Sequence, residues 1–356
     1  MAGYPGIEKE QRVAFDRLKD LVARIFERCG MSPDDADLLA DTLAFADLRG
    51  VHSHGVLRVP DYVRKLTAEG VDPQGRPQIA RDGGSVLVID GGNSMGQIGS
   101  VFAMRLAIER ARSSGISAAA VRGSNHCGAL AYYALMAVPE DMIGIVTTNA
   151  LPTMAPWGGI DKIVGINPIA IAIPCGEEHP LVIDLAFSGS SHGKIRVYDQ
   201  KGLPIPEGWA TDKDGHPTTD AAAAIEGLLL PIGGPKGSGL AIMMGVLSSL
   251  LSGAAYGPEL GDMVHGPKPG LDGHFFLALK VAAFEDVTVF KSRADGVIRQ
   301  IRSGRTAPGV DRIYAPGGLE AETEARYRAE GIPLNDITIA GIFGAARQVG
   351  IEPSFE

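Results

Sequence analysis

Apolar and polar positions along the 356 residues follow two rhythms, and their order lays out the chain. Between residues 8 and 29, Val13, Leu18, Leu21, Val22 and Ile25 recur at helical spacing and Gly30 supplies a stop, which predicts an opening helix. Ser32-Pro33-Asp34-Asp35 offers a capping hydroxyl, a proline where its missing N–H costs nothing, and acids beside the positive end of the helix dipole. A second helix should therefore run to about Leu48. Pro60 starts a third, through about Glu69, which Gly70 ends.

The rhythm then changes. Residues 85–90 (SVLVID) alternate as a strand does, 91–99 are glycine-rich, and 101–114 return to helical spacing. Short β-branched runs at 116–121, 143–148, 169–173 and 181–184 predict further strands, as do 281–284 and 288–290. Helices alternating with strands predict an α/β core. Residues 199–220 are polar and turn-rich, which predicts an exposed excursion, and the charged 320–330 predict a solvated helix near the C-terminus. The longest apolar stretch, 237–256, is rich in Gly, Ser and Ala and has no aromatic belt at its start, so it predicts a buried helix rather than a membrane span.

Composition removes several function classes. A net charge of −9 with no lysine or arginine run argues against a nucleic-acid partner. Cys29, Cys127 and Cys175 form an odd, scattered set without CxxC spacing, so neither a disulfide framework nor a zinc ribbon is expected, and a reducing cytoplasm fits. Residues 1–12 lack the apolar core of a signal peptide.

Candidate chemistry concentrates in residues 49–58, RGVHSHGVLR, where His52, Ser53, His54 and Arg58 fall together between Gly50 and Gly55. Histidine can exchange a proton near neutrality, and arginine offers a rigid bidentate fork for a carboxylate. The segment reads as a proton donor beside an anion clamp. Arg58 and Tyr62, four residues apart, share a helical face, and His54 joins them if the backbone is helical before Pro60.

Residues 122–128, RGSNHCG, leave one strand and enter a helix. Backbone N–H groups at that start suit a phosphate, while Asn125 and His126 could equally serve as caps. Asp184 ends an apolar strand, where a carboxylate can accept hydrogen bonds from ribose hydroxyls or act as an ordinary turn residue. Lys236, in GGPKGSG, fails the Walker pattern because the lysine precedes the glycine, yet it remains a possible diphosphate contact. No GxGxxG occurs, so the standard dinucleotide fingerprint is absent. A metal held by His52, His54 and His126 or Asp184 has no third ligand fixed by spacing, and no metal is expected.

Taken in order, DLRGVHSHGVLRVPDYV (47–63), GNSMGQ (92–97), RGSNHCGALAYY (122–133), APWGG and GINP (155–159, 165–168), VIDLA and HGK (182–186, 192–194) and GPKGSGL (234–240) resemble the type II malate/L-lactate dehydrogenase family over nearly the whole chain. That family includes sulfolactate and ureidoglycolate dehydrogenases and piperideine-2-carboxylate reductase. The resemblance implies a homodimer and a non-Rossmann malate/L-sulfolactate dehydrogenase-like α/β fold whose cofactor domain has a mostly antiparallel mixed sheet. It implies hydride transfer between NAD or NADP and a carbon α to the carboxylate of a small substrate. Residues 1–120 with 315–356 would form a helical substrate and dimerisation domain carrying His54, and 121–314 the cofactor domain.

Carried over by position, His54 matches the proton donor with Ser53 as relay, although in one branch of the family His126 is the proton acceptor. Arg58 matches the carboxylate clamp, joined by Tyr62, and His192 and Gly193 match substrate contacts. His126, Cys127, Gly128, Ala129 and Leu130, then Asp184, Leu185 and Ala186, then Lys236 and Gly237, and finally Gly317 and Gly318 match cofactor contacts. Two departures stand out: Ile166 where the family often has Thr, and Gly318 where Glu is common.

Overall fold

The computed structural model describes residues 10–262 and 265–355. A strand, β1 (Glu10–Val13), comes first, followed by α1 (Phe15–Arg28) and α2 (Pro33–Leu48). The expected opening helix thus starts later than its periodicity suggests, because residues 10–13 pair antiparallel with β16 (Ile332–Asn335) near the other end of the chain. Ser32 caps α2 as its sequence predicts, its hydroxyl accepting from the Asp35 N–H at 3.3 Å. Two 3₁₀ turns, His52–His54 and Val56–Arg58, lead into α3 (Val59–Thr67), so the backbone is helical before Pro60.

Next come β2 (Gln78–Asp82), β3 (Val86–Asp90), α4 (Gly96–Ser114), β4 (Ile116–Ser124), α5 (Ala131–Leu135), β5 (Met142–Thr148) and a short ribbon of β6 (Pro152–Met154) with β7 (Val164–Gly165). They are followed by β8 (Ile169–Ile173), β9 (Leu181–Leu185) and α6 (His192–Gln200). The presumed excursion is more ordered than its polarity suggests. Within it lie β10 (Ala210–Thr211) and β11 (Pro217–Thr218), which with α7 (Ala221–Glu226) and β12 (Leu228–Leu229) bury Ile205 and Ala210 in a small core shared with Met154, Val164 and Ile195.

The apolar stretch forms α8 (Pro235–Ser249), but the burial expected for it holds on one side only. Leu240 and Met243, with Leu250 and Leu251 just beyond, are about half exposed. Among the described residues no helix is long and apolar enough to cross a membrane. After the ribbon of β13 (Gly261–Asp262) and β14 (Gly266–Pro267) comes β15 (Asp272–Lys280). The two strands predicted after it, at 281–284 and 288–290, are instead a 3₁₀ turn and the start of α9 (Val287–Arg302), whose Asp286 cap accepts from Val289 N–H at 3.0 Å. Here a favourable cap decides against β-branched composition. α10 (Gly318–Glu330) matches the predicted solvated helix, and α11 (Asp336–Gln348) follows β16.

Seven strands form the main sheet in the order β2-β3-β4-β15-β5-β8-β9. Only β3 and β4 run parallel; every other neighbouring pair is antiparallel, which makes this a mixed α/β architecture. α4 and α5 cover one face and bury Met104, Ala107 and Tyr133 against Val121 and Phe276. A second core packs α1, α2, α3 and α11 around Leu18, Phe26, Leu39, Val63 and Ile342. The polar cluster after α2 lies where these two cores meet.

Candidate active site

Asp47, at the end of α2, organises the cluster. Its buried carboxylate meets His52 Nδ1 at 2.6 Å through one oxygen and accepts the Val56 N–H at 2.6 Å through the other. His52 is thereby committed to structure and faces Tyr327. His54 points elsewhere, with Nδ1 2.9 Å from Ser53 Oγ. Arg58 is anchored through Nε, which donates to the Ser53 carbonyl at 2.8 Å, and only a long 3.4 Å contact ties its terminus to Asp61. That leaves the outer edge of the guanidinium for a ligand.

The second imidazole comes from the loop after β4. Asn125 donates to the Ser94 carbonyl at 2.8 Å and accepts from Gly270 N–H at 3.0 Å, which pins the loop to the start of α4. Gly96 makes that approach possible, since a Cβ there would lie 1.9 Å from the Asn125 carbonyl oxygen. His126 then stacks on His54, ring centroids 5.7 Å apart and planes 16° from parallel. Gln97 Nε2 donates to the Tyr62 hydroxyl at 3.0 Å, so the phenol gives its own proton to His126 Nδ1 at 2.7 Å. His126 consequently carries its hydrogen on Nε2.

Burial, and then the Arg58 charge, push the His54 pKa down to about 4. His126 is held well below the usual range, by burial first and then by His54, Arg58, Lys65 and His274. Both rings are neutral at physiological pH. Deeper still, His274 on β15 bridges Thr148 Oγ1 at 2.7 Å and Ser124 Oγ at 2.8 Å, tying β5 and β4 together behind the site.

Two cavities meet at His54. One, of about 930 Å³, is lined by His54, Arg58, Tyr62, Lys65, His126 and Asp272. The other, of about 250 Å³, runs past Gly128–Ala131 to Val182, Asp184, Ala186 and Gly317 and is mostly apolar. Gly128, Ile166 and Pro168 border both. Asp184 accepts the Ala131 N–H at 2.8 Å, so a protein carboxylate occupies the helix start that was read from sequence as a phosphate or cap site. Burial raises Asp184 to about 6.

Not every anticipated residue converges here. Lys236 and Gly237 open α8 away from both cavities; Lys236 is exposed, and a Cβ on Gly237 would meet the Ile232 carbonyl at 1.9 Å. His192 and Gly193 begin α6 and also lie outside both, with both ring nitrogens of His192 buried and unpartnered. Cys127 does line the larger cavity, whereas Leu185 only lies between Asp184 and Ala186 of the smaller one, and Gly318 packs near His179. Among the described residues no three His, Cys, Asp or Glu side chains converge as a metal-ligand set.

Lys65, Asp272 and Gln97 had no role assigned from sequence. Lys65 follows Arg58 by two helical turns, a spacing that could have revealed it. Nothing in the sequence marks Asp272.

The model of the malate/L-lactate dehydrogenase family matches residues 13–342. The chain belongs to that family. This family member is an oxidoreductase. It is 38% identical to the malate dehydrogenase of Pyrococcus abyssi, with 97% of each chain covered. It is 33% identical to the delta(1)-pyrroline-2-carboxylate/delta(1)-piperideine-2-carboxylate reductase of Pseudomonas putida, over 95% of this chain and 98% of that one. The solved sulfolactate dehydrogenase of Methanocaldococcus jannaschii superposes with a TM-score of 0.89 at 34% identity, covering 96% of this chain and 98% of that one. In this dehydrogenase-family chain, Ile166, one of the two departures from the family pattern, borders both cavities.

Proposed function

We propose that this enzyme reduces a small 2-oxo acid to its 2-hydroxy acid, and catalyses the reverse, with NADH or NADPH. The observation that carries this reading is the meeting of two stacked neutral imidazoles and a half-free arginine fork in one cleft, beside an apolar pocket that ends in a carboxylate. The donor set of that pocket fits a nicotinamide nucleotide. Asp184, held by the backbone at Ala131 and Leu130, lines the pocket with a carboxylate that can accept from ribose hydroxyls, and glycine backbone at Gly128 and Gly317 leaves the walls smooth. A bound reduced nicotinamide supplies the hydride.

The chain's own groups do the rest. Arg58 binds and orients the substrate carboxylate through its free N–H edge. His54 or His126, protonated once the bound substrate anion offsets the charge of Arg58, gives the Nε2 proton to the oxygen as negative charge develops there and returns to the neutral imidazole, with Ser53 and Tyr62 holding the two Nδ1 atoms. Anchorage at Nδ1 fixes the orientation of both rings and limits reorganisation. Tyr62 sits beneath this pair as its positioning residue.

For the wider architecture, residues 1–120 with 315–356 form the substrate and dimerisation part and 121–314 the cofactor part, with β2, β3 and β4 extending the main sheet across the boundary. This sheet, five of whose six pairings are antiparallel, serves as a non-Rossmann cofactor scaffold, in keeping with the missing GxGxxG. The apolar side of α8 suits burial against a second copy in a homodimer. Three unpaired buried cysteines suit the cytoplasm.

A second reading, reduction of a cyclic 2-imino acid, is favoured by the similarity to the Pseudomonas putida reductase. One assay separates the two. Loss of NADH and NADPH absorbance is followed against a panel of 2-oxo acids and cyclic imino acids, and turnover of imino acids alone would replace the first reading. Chelator treatment should leave the rate intact. Loss of activity restored by metal would instead favour a metal-dependent hydrolase or lyase built on His52, His54 and His126.

A further inference from the structure

On α3 the side chains of Arg58, Tyr62 and Lys65 follow at intervals of four and three, so they form one stripe facing the cleft. Arg58 and Tyr62 are already accounted for. Lys65 is not. It is 9% exposed, yet no hydrogen bond or ion pair ties its ammonium to any described residue. Lysines this covered are rare without a partner, because burying an uncompensated charge is costly.

The anions around it are otherwise engaged. Asp61 serves Arg58 and Arg64, and Glu69 serves Arg64. Asp272 lines the same cleft but makes no ion pair with Lys65, and burial raises its pKa to about 7 against the pull of the lysine, so it is a weak counter-charge. Arg58 and Lys65 both act on His126, which places the two cations within electrostatic reach of one reacting centre. Seven residues span about 10 Å of helix axis, and two long side chains of that offset can converge on a ligand only a few ångströms long.

We propose that Lys65 binds a second anionic group on the substrate, a carboxylate or sulfonate carried beyond the 2-oxo carbon, and so selects dianionic over monoanionic 2-oxo acids. This rests on the 2-oxo acid reading of the site and names the substrate class within it. Arg58 takes the carboxylate next to the reacting carbon. Lys65 takes the distal anion, and the substrate supplies the counter-charge that the protein withholds.

The test uses the full chain and the variants Lys65→Met, Lys65→Gln and Lys65→Arg. The ratio of kcat/KM for oxaloacetate to that for pyruvate should favour oxaloacetate in the parent protein. It should fall about 10- to 100-fold in the two neutral variants, the loss expected for one charge-assisted contact, and largely recover in Lys65→Arg. An unchanged ratio in whichever neutral variant folds overturns the proposal. Calorimetric binding of the unreactive pair succinate and propionate gives an independent readout. If the protein turns over neither oxo acid yet binds succinate more tightly, and loses that preference in the neutral variants, the reductase reading fails and the role of Lys65 stands. Equal succinate affinity in parent and neutral variants removes that role whatever the turnover.

Discussion

Gly55 leaves room for Asp47: a Cβ at position 55 would stand 2.2 Å from the Asp47 carboxyl carbon. The same carboxylate holds His52 and the Val56 N–H, so the bend that presents His54 and Arg58 depends on a missing methyl group. Gly55→Ala should displace Asp47 and leave a buried donor unpaired, costing about 2–4 kcal/mol of stability along with most activity. Denaturant unfolding checks this, and an unchanged midpoint would show that the turn adapts.

Removing either imidazole tests the proton route. His54→Ala and His126→Ala should each lower kcat/KM, and the ring that delivers the proton should cost about 10²- to 10⁴-fold while nicotinamide binding persists. If one variant keeps full activity, that histidine is excluded from the transfer.

Tyr62→Phe removes the donor to His126 Nδ1 and frees the ring to adopt its other tautomer. A kcat loss of about tenfold with little change in KM is expected, together with a displaced pH–rate profile. A parent-like profile would mean that the phenol merely fills space.

Arg58→Lys keeps the charge but not the fork, so KM for any 2-oxo acid should rise well above that of the parent. An unchanged KM would count against the clamp.

Two pH effects follow from depressed histidines. His54 and His274, each near 4 in the folded protein against 6.5 ordinarily, stay neutral while the unfolded chain takes up protons. Their contribution to stability is present above 6.5 and is lost as pH falls from there towards 4, by up to about 1.4 kcal/mol per pH unit for each histidine. Equilibrium unfolding across that range measures the slope. An anion bound at Arg58 offsets one charge that depresses His54, so its pKa should rise and binding should take up protons. Calorimetry of a dicarboxylate at pH 6 in two buffers of different ionisation heat should show that uptake, and proton release would contradict it.

Legibility followed local determinants. α2 was readable because Ser32, Pro33 and the acids after them act within one turn, and His54 with Arg58 was visible because both fall in one short segment. Pairings between distant segments were not readable. Residues 10–13 continue a helical pattern yet pair with Ile332–Asn335. Asp184 reaches the start of α5 across 53 positions. β15 went unpredicted although it is the middle strand of the main sheet, since its polar start, DGH, hides a strand whose histidine is satisfied only by Thr148 and Ser124. Lys65 belongs to no motif of its own and becomes visible only because α3 turns it inwards.

That central strand also sets the timetable of assembly. β4 and β5 are separated in space by β15, which is made more than 120 residues after both of them, so as the chain emerges their facing edges remain unpaired until Asp272–Lys280 arrives. Its insertion closes the sheet from the middle rather than from an edge, a late, non-local step of the kind that slows folding and exposes strand edges to other chains. The two walls of the larger cleft, His126 after β4 and Asp272 at the head of β15, come together in that single event, so a nascent chain should acquire that cleft in one step, before Gly317 completes the smaller cavity.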